Sequence, residues 1–177
     1  VHPDDPENFR KAITPKTKAI MTVPLYGHPV DFDPIAEIAE KHGLMVIEDS
    51  AEALGAKYRD RPVGSLARCS TFSFFGNKLI TTGEGGMVVT DDPELAQRCR
   101  SLRNLCFRPD RRFLHTELGH QFRPEHSPAP GRFFQRVAER RVGFVLFEPG
   151  RYLFELTQRL LAPSHVTTIE KLLLVSD

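Results

Sequence analysis

The run from Leu44 to Ile47 is continuously apolar, has the length of a strand, and ends in the carboxylates Glu48 and Asp49. An uninterrupted apolar strand is typical of a parallel sheet that is covered on both faces. Upstream, Asp33 precedes a proline and predicts the start of a helix, and Gly43 predicts where that helix ends. The sequence therefore predicts a helix that leads directly into a buried strand.

Other segments repeat this alternation. Three further segments have the length and composition of strands: residues 17–23, 71–75 and 87–90. A second helix is predicted after Asp92, where a proline and then Glu94 follow. The order strand, helix, strand, strand, strand, helix predicts an α/β fold with a mostly parallel sheet and flanking helices.

Composition narrows the function classes. A chain of 177 residues is long enough for a domain with a real core, and its net charge of +1 gives no general affinity for nucleic acid. The apolar runs are too short to span a bilayer. Cys69, Cys99 and Cys106 lack the spacing of metal ligands. Reduced thiols, a cytoplasmic location, and neither metal nor membrane nor nucleic-acid binding are therefore expected.

Four features between the helices could carry chemistry. Asp49 follows a buried strand, where open α/β sheets bind their ligands, but it could equally cap the next turn. Lys78 follows an apolar strand and could act as a nucleophile, although most lysines are simply solvated. The glycine-rich turn 83–86 and His28 are more often structural.

The order of these features is more specific than any one of them. A carboxylate at a strand end is followed by the hydroxyl of Ser73, five residues before Lys78, and then by the glycine-rich turn. Pyridoxal phosphate needs an amine for its aldehyde, small donors for its phosphate, and a carboxylate for its pyridine nitrogen. The pattern therefore favours a pyridoxal phosphate site.

Three stretches resemble the DegT-type nucleotide-sugar aminotransferases. Val46–Ala56 is similar to that family's Ile-Glu-Asp-x-Ala-x-x-x-Gly-Ala segment, and Phe72–Val89 to its Phe-Ser-Phe-x-x-x-Lys-x-x-x-x-Gly-Glu-Gly-Gly-Met segment. Tyr26–Ile35 resembles its Tyr-Gly-x-Pro-x-Asp-x-Asp-x-Ile stretch. The segments Phe-Phe-Gly-Asn-Lys (74–78) and Glu-Asp-Ser-Ala-Glu-Ala (48–53) are particularly similar to the perosamine-synthase branch, which aminates GDP-4-keto-6-deoxymannose. The resemblance runs from about residue 9 to residue 123.

The resemblance implies the large domain of a fold-type-I pyridoxal phosphate-dependent transferase, with a role for each matching residue. Lys78 would bond to the cofactor aldehyde, and Asp49 would pair with the pyridine nitrogen. Ser73 would bind the phosphate, and Glu52 would lie near the phenolic oxygen, where much of the family has Gln. Gln121 replaces the family's Asn, which reaches a cofactor phosphate in the partner subunit of a homodimer.

The implied reaction is a two-stage transamination. Glutamate would give its amino group to the cofactor, and a nucleotide-linked keto sugar would then receive it, with Lys78 as general base. A UDP- or dTDP-linked keto sugar is an alternative acceptor. Two further interpretations are a non-catalytic Arg-rich binding module and a pseudoenzyme fragment.

The resemblance ends after Arg123. Family members carry additional residues before this region, including a loop that also grips the phosphate. The following Pro-Glu-His-Ser-Pro, if its codons are shifted by one base, can encode Leu-Ser-Thr-Leu-Gln, which is close to the family's continuation. We expect residues 1–123 to form a partial cofactor-binding domain. We expect residues 124–177 to be an Arg- and Pro-rich tail that is out of frame and packs loosely, and the chain by itself to be a poor enzyme.

Overall fold

The computed structural model describes residues 5–120 and the backbone of residues 143–147. In chain order the helices are α1 (Pro6–Ala12), α2 (Phe32–Lys41) and α3 (Pro93–Arg103), with a short 3-10 turn at Leu25–Gly27. The strands are β1 (Ala19–Thr22), β2 (Met45–Asp49), β3 (Lys57–Tyr58), β4 (Arg61–Pro62), β5 (Cys69–Ser73), β6 (Gly86–Thr90) and β7 (Gly143–Phe147). Among the described residues no helix is both long and apolar enough to cross a membrane.

Five strands form one sheet in the order β1-β2-β5-β6-β7. β1, β2 and β5 pair in parallel, β6 is antiparallel to β5, and β7 is antiparallel to β6. Only β6 therefore runs against the other strands, and the prediction of a mostly parallel α/β sheet is confirmed. The separate β3–β4 hairpin, which the sequence analysis did not predict, lies in the connection from β2 to β5.

The two longer helices cover opposite faces of the sheet. Leu95, Cys99 and Leu102 of α3 pack in one buried cluster with Ile47 and Cys69 of the sheet. A second cluster joins the apolar residues of α2 to the other face of β1 and β2: Ile20, Phe32, Ile35, Ile38, Ala39 and Val46. Because side chains alternate along a strand, Asp49 lies on the same face as Ile47 and therefore on the α3 side.

Helix boundaries follow local chemistry, with one correction. The Asp92 carboxylate accepts hydrogen bonds from the backbone N–H groups of Glu94 and Leu95, as expected for the start of α3. Gly43, with φ of 63°, follows the end of α2 as expected. Asp33, however, lies inside the first turn of α2, whose N-cap residue is Asp31.

The position of Asp33 has a tertiary cause. Its carboxylate accepts a hydrogen bond from Arg59 Nη1 at 2.8 Å and another from Arg61. Both arginines belong to the β3–β4 hairpin, which turns through left-handed backbone at Arg59 and Asp60. The side chain that sequence alone assigns to capping therefore binds the hairpin to the start of α2.

A buried glutamate fixes the connection from β2 to β5. Glu48 is fully buried, and its Oε2 accepts hydrogen bonds from the backbone N of Gly64 at 2.7 Å and from Ser70 Oγ at 3.0 Å. Gly64 has φ of 90°, and a Cβ added there would lie 2.4 Å from the ring of Phe72. Two hydrogen bonds to a buried carboxyl group and a contact that requires glycine thus set the path of the chain into β5.

β7 is the described part of the segment expected to pack loosely. Its backbone pairs with β6 from Gly143↔Thr90 to Phe147↔Gly86. This pairing differs from the expectation of a tail without a place in the fold, and it has a simple cause. An apolar Gly-Phe-Val-Leu-Phe run can satisfy the backbone groups at the edge of β6 without any particular side-chain complement. The domain boundary after Arg123 and the frame hypothesis stay predictions.

The replacement Gly64→Ala tests the close contact under β5. We expect it to lower the free energy of unfolding by about 3 kcal/mol, because the new Cβ adds a clash with Phe72 to an unfavourable positive φ. The control Gly43→Ala also has positive φ but meets nothing within 4 Å, so it should lose only about 1 kcal/mol. Urea denaturation measures both, and equal losses would contradict the clash.

Candidate active site

Asp49 ends β2 directly beside Thr71 of β5. Its Oδ1 accepts a hydrogen bond from the backbone N of Ala51 at 3.2 Å and from Thr71 Oγ1 at 3.4 Å. Burial raises the pKa of Asp49 above its ordinary value, and this effect outweighs the hydrogen bonds and the positive charge of Lys78, which lower it. The pairing of two strands thus holds one carboxylate in a partly desolvated place.

Lys78 lies in the loop between β5 and β6, which folds back on the end of β5. The backbone carbonyl of Phe74 accepts hydrogen bonds from Thr82 N and from Thr81 Oγ1, both at 3.0 Å, and Phe74 N donates to Gly85 O at 2.8 Å. Within this folded loop the Lys78 side chain is only 19% exposed. The glycine-rich turn therefore closes the loop that carries the lysine.

Glu52 connects this lysine to another part of the chain. Glu52 Oε1 lies 3.7 Å from Lys78 Nζ, and Glu52 Oε2 accepts a hydrogen bond from the backbone N of Tyr26 at 3.0 Å. The two oxygens of one carboxylate therefore face an amine on one side and the Leu25–Gly27 turn on the other.

A pocket of about 200 Å³ opens at this point. Its walls combine polar groups with apolar side chains: Tyr26, Ala51, Glu52, Leu54, Ser73, Asn77, Lys78, Leu79 and Ile80. Ser73 Oγ accepts a hydrogen bond from Phe75 N at 3.3 Å. An amine, a hydroxyl, an amide and a carboxylate thus share one concave surface, which is the composition of a small-molecule site.

The structure brings most of the predicted site residues together. Lys78, Glu52 and Ser73 line the pocket, and Asp49 is near enough for the charge of Lys78 to act on its pKa. Gln121 lies outside the described residues. The roles of these residues stay predictions.

His28 is not among the residues that line this pocket. The sequence analysis did not predict three residues that line the pocket or support it. Thr71 binds Asp49, and its alternation with Ser73 along β5 was a possible signal. Asn77 precedes Lys78, and Tyr26 begins the Tyr26–Ile35 stretch that resembles the family, but the sequence analysis assigned no role to either residue. Within the described part of the chain no group of three or more His, Cys, Asp or Glu side chains could hold a metal ion.

Comparison with known proteins shows which family the chain resembles. Residues 3–129 match the model of the DegT/DnrJ/EryC1/StrS aminotransferase family. The chain is 54% identical over 119 residues to a GDP-perosamine synthase of Caulobacter vibrioides, covering 67% of this chain and 32% of that protein. It is 52% identical over 105 residues to a dTDP-3-amino-3,4,6-trideoxy-alpha-D-glucose transaminase of Streptomyces venezuelae, covering 58% and 28%.

The solved structures agree. The structure of S. venezuelae DesV in complex with a ketimine intermediate is similar with a TM-score of 0.62 and 46% identity, covering 67% of this chain and 33% of that one. The chain spans about a third of the length of the relatives it matches. The match to the family model includes the region that holds Asp49, Ser73 and Lys78.

The burial of Asp49 predicts a stability effect that depends on pH. Because the folded pKa of Asp49 is raised, the carboxylate destabilises the folded state progressively as the pH rises from the ordinary aspartate value through the folded pKa, and fully above it. Asp49→Asn keeps an oxygen for Ala51 and removes the buried charge, so it should raise the free energy of unfolding at neutral pH. The gain should vanish below the ordinary aspartate pKa of 3.8, where the native side chain is protonated in both states.

Urea denaturation at neutral and at acidic pH measures this effect. Asp60→Asn is the matched control, because Asp60 is exposed and its loss of charge should leave the stability nearly unchanged. A less stable Asp49→Asn variant at neutral pH would contradict the burial argument.

Proposed function

Since the chain belongs to the DegT/DnrJ/EryC1/StrS aminotransferase family, we propose that its protein uses pyridoxal phosphate to move an amino group to a nucleotide-linked keto sugar. The observation that carries this proposal is the placement of Lys78 Nζ in a pocket, 3.7 Å from Glu52 and near the buried Asp49. Aminotransferases of this family depend on pyridoxal phosphate.

The residues present fit this cofactor. Lys78 offers an amine for the aldehyde, and Ser73 and Asn77 offer a hydroxyl and an amide for the phosphate. Asp49, at the end of β2, offers a carboxylate for the pyridine nitrogen. When bound, pyridoxal phosphate supplies an electron sink for the transamination. We propose that Gln121, from the segment after the described residues, adds a phosphate contact across a homodimer.

Asp49 has to be ionised to pair with a protonated ring nitrogen. Burial opposes this charge, whereas Ala51 N–H, Thr71 Oγ1 and Lys78 favour it. Both hydrogen bonds go to Oδ1, so Oδ2 is the oxygen that remains to meet the ring nitrogen. The β2–β5 pairing therefore orients the carboxylate as well as placing it.

Lys78 would have a second role as the general base, with its Nζ taking up and returning a proton. A lysine has the length to swing within the pocket, and the Glu52 carboxylate beside it provides a resting contact. The Tyr26 backbone N–H, which donates to this carboxylate, holds the carboxylate in place.

The substrates follow from the relatives. Similarity to a GDP-perosamine synthase supports a GDP-linked sugar. The family resemblance implies its 4-keto-6-deoxy form as acceptor and glutamate as donor. Similarity to a dTDP-sugar transaminase supports the alternative of a dTDP-linked acceptor. A cytoplasmic location is also part of the proposal, and the three cysteines, which are free thiols, are consistent with it.

The Arg-rich binding module has weaker support. That interpretation rests on the arginines from Arg108 onward, and those beyond residue 120 lie outside the described residues. Among the described ones, Arg108 pairs with Asp110. A guanidinium group that already binds a carboxylate offers little to an added polyanion.

Covalent labelling tests the assignment of Lys78. Incubation of the purified protein with pyridoxal phosphate and reduction with borohydride should leave a pyridoxyl group on Lys78, detected by peptide mass spectrometry. Lys78→Arg should remove the label, and Lys57→Arg, which changes an exposed lysine of β3, should keep it. Label on another lysine with Lys78 unmodified would refute the assignment.

The variant Asp49→Asn separates the electron sink from the amine. Turnover should fall about a hundredfold or more, because a fixed charge that stabilises the reacting ring is lost. The pyridoxyl label should still form on Lys78, because Asp49 takes no part in the bond between Lys78 and the cofactor. Steady-state kinetics and labelling of the same preparation measure the two effects, and near-normal turnover would mean that Asp49 only caps its turn.

A further inference from the structure

Tyr26 stands at the mouth of the pocket without the burial expected of a structural aromatic. The residue lines the same pocket as Lys78 and is 93% exposed. Leu79, which also lines the pocket, is 82% exposed. The rim of the pocket therefore includes exposed apolar side chains, whereas the less exposed Ser73 and Lys78 give its interior polar groups.

The backbone of Tyr26 is held in a conformation that a bulky residue rarely adopts. Its φ and ψ are 52° and 28°, in the left-handed region, where only glycine is free of steric penalty. An exposed ring gives the fold little stabilisation in return. Strain at an exposed residue beside a pocket is typical of a residue kept for contact with a ligand.

Two hydrogen bonds hold the turn that presents this ring. Glu52 Oε2 accepts a hydrogen bond from Tyr26 N, and His28 N donates to Leu25 O at 3.0 Å. Gly27, with φ of 80°, completes the turn in a backbone conformation that favours glycine. Glu52, whose carboxylate lies beside Lys78, thus also holds the Tyr26 turn. The Tyr26 ring is therefore preorganised relative to the amine.

We propose that Tyr26 is a specificity-determining contact residue whose ring packs against the apolar C–H face of the sugar ring of the substrate. The inference rests on the proposed function and adds the part of the substrate that the rim recognises. The polar groups inside the pocket suit the cofactor, so the ring at the mouth meets the molecule that enters afterwards. A sugar ring carries its polar groups at its edge and C–H groups on its faces, and an aromatic face attracts such partially positive hydrogens.

The test compares ligands with and without a sugar. The probes are GDP-mannose and dTDP-glucose, with free GDP and dTDP as their sugar-free partners. Tyr26→Gly should weaken binding of the sugar nucleotide that the native protein prefers by about tenfold and leave its free nucleoside diphosphate unchanged. The same variant should not lose stability, because glycine relieves the left-handed backbone. Tyr26→Phe keeps the ring and should bind like the native protein.

Phe113→Gly is the matched control. Phe113 is also aromatic, 76% exposed and left-handed, with φ of 67°, but it does not line the pocket. Its loss should leave the affinities for all four probes unchanged. The chain contains no tryptophan, so Tyr26→Trp creates a single fluorophore whose emission should change with the sugar nucleotide and much less with the free diphosphate.

The outcomes separate this inference from the proposed function. Equal affinities of Tyr26→Gly and native protein for the sugar nucleotide would overturn the inference, as would equal weakening for the sugar-free partner. Failure of the native protein to bind any of the probes would overturn it too. Absence of the pyridoxyl label on Lys78 in native protein would overturn the proposed function, while the fluorescence of Tyr26→Trp would still decide whether the rim recognises the sugar.

Discussion

The parallel pairing of β2 with β5 is the constraint on which the pocket depends. It sets Asp49 opposite Thr71, and the same register carries Ser73 beyond the end of β2 toward the loop that holds Lys78. A shift of one residue would move each of these side chains to the opposite face of the sheet. The buried Glu48 protects this register, because its hydrogen bonds reach both Ser70 on β5 and the chain that leads into β5.

Two residues at or near the pocket are held in states that do not favour folding. Burial makes the charge of Asp49 unfavourable, and the left-handed backbone of Tyr26 is strained. Neither feature improves packing, and each is surrounded by contacts that hold it in place. Such residues are expected where a protein binds or converts a ligand, because a more stable choice would serve the fold better at either position.

Much of the fold could be predicted from local signals. The apolar run at 44–47, the stop at Gly43 and the cap at Asp92 act over a few residues, and the structure keeps all three. Asp33 was assigned wrongly as a cap because its partners, Arg59 and Arg61, lie far along the chain. Two-residue strands such as β3 and β4 carry too few side chains for a periodic pattern.

The same distinction holds at the site. Asp49, Ser73 and Lys78 could be proposed as site residues because their order along the sequence matches a chemical need and a known family pattern. The contact between Thr71 and Asp49 depends on strand register, which no single segment encodes. Tyr26 is held through its backbone N–H by Glu52, which lies 26 residues away. Contacts that form only when distant segments meet are the part that sequence patterns do not specify.

The reversal of β6 has a consequence for how the lysine loop can change. Because β5 and β6 are adjacent antiparallel neighbours, the loop between them is anchored at both ends by the ladder from Ser70↔Val89 to Ser73↔Gly86. Neither end of the loop can slide without breaking that ladder. The distance over which Lys78 can move is therefore limited by the fixed separation of the two loop ends. Exposed positions along the loop that do not line the pocket, Phe75 among them, are free to vary in chemistry, whereas the length of the loop is not. Diversity in this loop should therefore arise by substitution and hardly ever by insertion or deletion.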